Sequence, residues 1–320
     1  MSAQTRLVKQ VNRVFHEEES AEYDARHPEI LLEDTKRWDS WLDAIAPVLK
    51  DDLHALDIGT GTGFVASLLA ERLNRRSVLF CADLSPRMLD LTRRKLDGNG
   101  RKASVGYSVC DAECLPFESA RFGLVTASAV LHHLPCPDVF LREVDRVLRP
   151  GGVLILAHEP NRRFFQNRVI LWTYIGMELF KKYASPANYY RKLAKVIVPV
   201  RRGATARQAP GLYERVAERL RREGLVDRVL SPNEIQSLVD VNVSWAGGDL
   251  LANDPSKEFD PFDLKTRFFP RYHGVDVASY GHMGEFLPHF PPSRLVHAAL
   301  RRLYPQDGLH FVMILRKPHL

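Results

Sequence analysis

Five apolar runs lie between Ala55 and Glu159, and helical stretches separate them. They are "ALDI" from Ala55, "SVLFCAD" (Ser77–Asp83), "ASVGYSVC" (Ala103–Cys110), "FGLVTASAV" (Phe122–Val130) and "VLILAHE" (Val153–Glu159). A strand with one wet face alternates polar and apolar residues, whereas near-continuous apolar runs need cover on both faces. The intervening "FVASLLAERL", "PRMLDLTRRKL" and "DVFLREVDRVL" space their apolar residues like one face of a helix. Pro86 stands at a helix start, and "RPGG" at Arg149–Gly152 is a helix stop. This alternation predicts an α/β fold, a parallel sheet with helices on both faces. At 320 residues and 45% hydrophobic, the chain can bury such a core.

The first strand runs directly into Gly59, Gly61 and Gly63 within "ALDIGTGTGFVASLLAERL". Strand, glycine turn and helix together let the backbone approach a ligand and aim the helix's first N–H groups at it. A plain tight turn is the alternative, made less favourable by three glycines with threonines between them. Asp83 follows at the end of the second strand, where a carboxylate accepts from ribose hydroxyls. The dinucleotide pattern G-x-G-x-x-G is not met, because Phe64 stands at its last position, and the Gly-Lys-Ser/Thr of a P-loop is absent.

The segments "LDIGTGTG", "ADLSPRML", "CDAECLPF", "VLHHLP" and "LRPGGVLILAHEP" stand in an order and spacing that resembles the class I S-adenosylmethionine (SAM) methyltransferases. The likeness is greatest to the group that includes the ubiquinone and menaquinone C-methyltransferases, and it covers about residues 53–160. It implies a Rossmann-like seven-stranded sheet with helices on both faces, SAM as cofactor and methyl transfer as the activity. Asp57 would hold the methionine ammonium through the turn, with Gly59, Gly61 and Gly63 against the methionine portion. Asp83, with Leu84 beside it, would take the ribose. Asp111 would accept from the adenine amino group, Ala112 would offer its N–H, and Ser128 would contact the methionine end. Tyr23, in "EYDARHP", resembles a tyrosine that some members place against SAM. One departure is Gly123 after Phe122, where the family usually has Asp, at a position that is generally structural.

Outside the core, residues 1–50 read as an N-terminal helical cap around "TRLVKQVNRVFHEE" and "TKRWDSWLDAIAPVLK". After residues 51–160 the rhythm breaks. Residues 161–261 read as a helical insertion or substrate lid, and 262–320 as a part completing the sheet with "LHFVMILRKP". From Asn161 to Glu223 there are fifteen Lys/Arg against four Asp/Glu. That excess is either a solvated helical surface or a face for an anionic partner such as a phospholipid, an acidic carrier protein or a nucleic acid. "RRFFQNRVILWTYIGMELFKKYASPANYY" mixes aromatic with basic residues, which suits a lid over an apolar or amphipathic acceptor or simple packing on the sheet.

No apolar run reaches membrane-span length, the start lacks a signal peptide's apolar centre, and four cysteines do not suggest a disulfide scaffold. A cytoplasmic protein is expected. Cys110 and Cys114 lack a second Cys/His pair at metal-ligand spacing, so no metal is expected either.

A sulfonium methyl is already activated, so transfer chiefly needs the acceptor aimed at it, and a base only where the acceptor must lose a proton. His133, beside His132, is the candidate base, and His158 and Glu159 are second candidates at the end of the fifth strand. The Asn/Asp-Pro-Pro-Tyr of adenine enzymes is absent, and Pro135-Cys136 lies too late to be a cytosine-type nucleophile. Both observations argue against a nucleic-acid acceptor. Three functions stay open: methylation of a small molecule, possession of SAM for another step such as cyclisation of its own side chain, and SAM binding without catalysis.

Overall fold

The computed structural model describes residues 2–20, 22, 34–97, 103–184, 211–244, 254, 257–282 and 291–319. Its centre is one seven-stranded sheet built from β1 (His54–Ile58), β2 (Val78–Asp83), β3 (Ser104–Val109), β4 (Phe122–Ser128), β5 (Leu148–Pro160), β6 (His273–Tyr280) and β7 (His310–Arg316). The strand order is β3-β2-β1-β4-β5-β7-β6. The first five strands are parallel, and β7 runs antiparallel to both β5 and β6.

Alternate residues of each inner strand enter different cores, which is why these strands read as unbroken apolar runs. Ala55, Leu124, Val153 and Ile155 face one side, with Trp38 and Leu42 of α2 (Thr35–Ala44) and Leu69 of α4 (Phe64–Arg72). Leu56, Val125, Leu154 and Leu156 face the other, with Phe140 and Val144 of α6 (Pro137–Val147). Between α2 and α4 lies the short α3 (Ala46–Lys50), split from α2 at Ile45 where the sequence suggested one helix, because Pro47 starts a new turn. The helix α5 (Pro86–Asp97) completes the first layer.

Two strands differ from the sequence reading. β5 begins at Leu148 rather than Val153, since Leu148 pairs with Phe122 and a bulge follows. The glycines there are tied to the chain end, with Gly151 N–H donating to the Lys317 carbonyl and Lys317 N–H to that of Gly152. β6 went unread as a strand because it lies at the sheet edge with exposed residues such as Val275.

Above the carboxyl ends of the strands sits a three-helix cap drawn from distant parts of the chain. It joins α1 (Ala3–Glu19) to α9 (Leu212–Arg222) and α10 (Pro232–Val239). Val11, Val14 and Phe15 pack on Val216, Leu220 and Ile235. The Arg219 guanidinium reaches the carboxylates of Glu17, Glu18 and Glu223. Part of the insertion's basic charge is therefore balanced inside the cap. The aromatic segment goes elsewhere: Phe164 of α7 (Arg162–Gln166) and Ile170 of α8 (Arg168–Ala184) pack on Leu300 of α12 (Pro291–Leu303). The remaining helix, α11 (Pro261–Phe268), leads into β6.

Leu220 is fully buried at the centre of the cap. Leu220→Ala should cost about 2–4 kcal/mol in urea unfolding through the lost side chain and the cavity left behind. Hydrogen exchange should accelerate across Val8–Phe15 more than in β4; an equal rise in both would mean the cap does not open as a unit.

Candidate active site

The glycine turn after β1 sets the site. Gly59, Gly61 and Gly63 have φ of 64°, 54° and 84°, conformations that residues with a Cβ rarely adopt. A Cβ on Gly59 would lie 2.4 Å from a Val130 methyl, so the turn needs glycine there to pass the loop after β4. Gly63 starts α4 against Thr92 and lines neither of the clefts described below. Gly61 N–H donates to Asp83 Oδ2 at 2.9 Å, and Ser85 N–H to Oδ1 at 2.8 Å. Burial pushes the Asp83 carboxyl up, and those N–H groups oppose the shift.

Two clefts meet at this turn. The first, about 930 Å³, is lined by Gly59, Gly61, Asp83, Leu84, Asp111 and Ala112, all expected from the sequence. The second, about 1570 Å³, lies towards β5 under the cap, and both volumes include space open to solvent. Gly59, Gly61, Ser128, Ala129, His16 and His133 border both. Asp57 lines the second, and Tyr23 lies outside the described residues.

Asp111 is held from two directions. Glu113 N–H donates to its Oδ1 at 2.9 Å, and Lys9 of α1 reaches its Oδ2 at 2.5 Å. Lys9 also contacts Glu113 at 2.5 Å, so the cap is pinned to the rim of the first cleft. Burial alone would lower the Lys9 pKa, but the hydrogen bonds and charges of both carboxylates outweigh it and hold Lys9 above its ordinary value.

The second cleft is bounded by histidines. His132 and His133 lie in the 3-10 turn Leu131–His133 that follows β4. Glu159, fully buried, accepts N–H bonds from Val130, Leu131 and His132 at 2.7, 2.8 and 3.1 Å, and contacts His132 Nδ1 at 2.8 Å. Its oxygens are taken up in holding this loop. The sequence placed Glu159 in the crevice as a second candidate base; the structure corrects that to an anchor. His133 Nδ1 lies 3.0 Å from the Val239 carbonyl and 3.1 Å from Asp240 Oδ1, both at the end of α10. His16 of α1 packs edge-on against the His133 ring.

On the far wall His158 stacks on His310, with ring centroids 4.2 Å apart. His310 is held neutral by burial, and its Nδ1 has no hydrogen-bond partner among the described residues. Ala129 and His158 have φ of 55° and 60°, a strain of about 1–3 kcal/mol each that tends to cluster at functional sites. Lys9, His16, Asp240 and His310 were all missed in the sequence, because each reaches the site only through tertiary packing.

A sheet whose first five strands are parallel, with a glycine turn after β1 and acids after β2 and β3, has the form of a nucleoside-binding α/β protein. The methyltransferase domain family matches residues 56–156. The chain is 36% identical over 130 residues to the ubiquinone/menaquinone biosynthesis C-methyltransferase UbiE of Xanthomonas campestris, covering 41% of this chain and 51% of that protein. Against UbiE of Xanthomonas oryzae it is 32% identical over 178 residues, 55% of this chain and 70% of the relative. A SAM-dependent methyltransferase structure from Aquifex aeolicus aligns with 22% identity and a TM-score of 0.34 over 38% of this chain and 63% of that one. The chain belongs to the class I SAM-dependent methyltransferases. It spans only about half the length of the first curated relatives, between 51% and 58%. SAM is the cofactor, and the left-handed glycines with their close backbone approach suit it.

Asp57 supplies a pH test. It is fully buried, accepting O–H bonds from Thr60 and Thr126 at 2.7 Å each. Burial pushes its carboxyl up to about 6 against those bonds, and the Asp83 charge adds to the rise. A folded value above the unfolded one means its stability contribution is whole below about pH 4 and is lost as pH rises to about 6. That loss should be on the order of 2–3 kcal/mol. Urea unfolding across this range should show a shallower decline for Asp57→Asn; an unchanged slope would locate the titration elsewhere.

Proposed function

We propose that the chain transfers the methyl group of SAM to a small molecule bound in the second cleft. The observation that carries this reading is the second cleft itself, which shares the turn, Ser128 and His133 with the cofactor cleft. Intramolecular cyclisation of SAM needs no such space, so the cleft favours an external acceptor. SAM, when bound, supplies a methyl group already activated by its sulfonium. Asp83 holds the ribose, Asp111 and Ala112 the adenine, and the turn at Gly59 and Gly61 with Asp57 and Ser128 the methionine end. The acceptor is apolar or amphipathic, as the sequence suggested, in keeping with walls where Phe15, Phe64, Tyr213 and Val243 stand beside His16, His132, His158, His310 and Asp240. A nucleic-acid acceptor is disfavoured by the absence of its motifs after β4.

The four parts read in the sequence, residues 1–50, 51–160, 161–261 and 262–320, are proposed as units of one enzyme rather than independent domains. Joint packing of α1 with α9 and α10 supports that view. We also infer a cytoplasmic location, in keeping with four free cysteines. Among the described residues no helix is long and apolar enough to cross a membrane.

Incubation with methyl-deuterated SAM and a small-molecule extract, followed by mass spectrometry, should reveal a product carrying one labelled methyl group. A cyclised SAM fragment, or no product, would overturn methyl transfer. Calorimetry tests the cofactor site separately: Asp83→Ala should weaken SAM binding by roughly 1.5–3 kcal/mol. Unchanged affinity would remove Asp83 from the site.

A further inference from the structure

We infer that Asp240 arms His133 as the proton acceptor, so the insertion supplies half of the base and the acceptor carries an ionisable O–H. This rests on the methyl-transfer reading above. The Val239 carbonyl can only accept, so the contact at 3.0 Å places the proton on His133 Nδ1. Asp240 Oδ1 lies 3.1 Å from the same nitrogen. Nε2 is then the ring's free lone pair, on a residue that borders both clefts.

Asp240 is suited to balance an imidazolium. Burial would raise its carboxyl, but the His133 hydrogen bond and the charges of His133 and His132 outweigh burial and hold it well below the usual carboxylate range. Gln236 Nε2 donates to its other oxygen at 2.5 Å. The groups facing His133 are His132 beside it, His16 from α1 and Asp240 from α10. Glu159 is engaged by His132 and three backbone N–H groups. Asp240 is therefore the carboxylate left to serve His133, as an oriented acid serves a base elsewhere.

In the step, the acceptor oxygen forms its bond to the methyl carbon while the C–S pair returns to sulfur. The hydroxyl proton passes to His133 Nε2, and the imidazolium, paired with Asp240, later yields it to water. Asp240 is a positioning residue, since it touches His133 and not the reacting atoms. Asn242, two residues on, donates to the Leu131 and Leu134 carbonyls, and its own N–H donates to that of His132. The end of α10 is thus stitched to the histidine loop, so the dyad exists only when the cap is seated.

The first test needs no acceptor. Nitrogen-15 histidine spectra of the full chain should show His133 protonated at Nδ1, with that proton's resonance moving upfield in Asp240→Asn. An Nε2-protonated His133 would overturn the dyad. In the second, methyl-deuterated SAM and the extract product report turnover. Asp240→Asn should lower turnover about 10- to 100-fold with S-adenosylhomocysteine affinity retained, and Asp240→Glu should restore most of it. Unchanged turnover in the Asn variant, or equal loss in both variants, would sink the role. So would stoichiometric Mn²⁺ or Zn²⁺ binding that disappears in Asp240→Asn, because His132, His133 and Asp240 lie close enough to hold an ion. If the wild type yields no labelled product, methyl transfer fails while the spectra still judge the dyad.

Discussion

Glu159 is the contact on which the site's geometry depends. A carboxylate with no exposure is costly unless its charge is met by donors. Here the donors are three successive backbone N–H groups and an imidazole, all from the loop after β4. The anion therefore fixes three residues of backbone at once and ties the end of β4 to the end of β5. It also orients His132, whose ring lies 4.0 Å from that of His133. Val130, held in the same loop, is the side chain that forces glycine at position 59. One buried charge thus sets one wall of the second cleft and, through Val130, the close passage of the glycine turn.

The core was legible because its signals are local. Ala55–Ile58, Val78–Asp83 and Phe122–Ser128 are apolar on both faces, and only a sheet covered on both sides uses such strands. Gly59, Asp83 and Asp111 could be placed because each follows a strand at a fixed offset, and the structure brings them to one cleft. β6 was not legible, since an exposed edge strand lacks the buried alternation that would mark it. Glu159 was read correctly as lying at the end of β5 but wrongly as facing the crevice. The sequence cannot tell which way a carboxylate turns, and a change of one position along the strand exchanges faces. His158 does line the cleft, and its left-handed backbone accompanies a bulge between Ala157 and Glu159 that alters the alternation there.

The cap was the least legible element. α1 and α9 are far apart in the chain, Arg13 and the Glu223 that caps α9 being 210 residues apart, yet they share one apolar core and one ion-pair network. Amphipathic spacing predicts that each helix buries a face, but not against which partner. The charge count was incomplete for a related reason. It left a solvated surface and an anion-binding face both open for residues 161–223, and for Arg215 and Arg219 the structure shows that Glu17, Glu18 and Glu223 lie against them. Composition measures charge, and only packing decides whether that charge is balanced within the molecule.

The cap also joins the two clefts mechanically. Lys9 reaches Asp111 at the cofactor rim, while Phe15 and His16, two turns further along the same helix, border the second cleft. α10 packs on α1 and ends at Asp240 beside His133. Lys9 brings a cation to the position where the adenine amino group is expected to donate, so bound cofactor and docked α1 make demands on the same carboxylate. Asp111 has two oxygens and about four lone-pair sites, so it can accept from Glu113 N–H, Lys9 and one further donor together. Cofactor and cap are therefore compatible at Asp111. α1 and α10 share one apolar core and Asp240 at the end of α10 lies beside His133, so the helix that reaches Asp111 also packs on the element that carries Asp240.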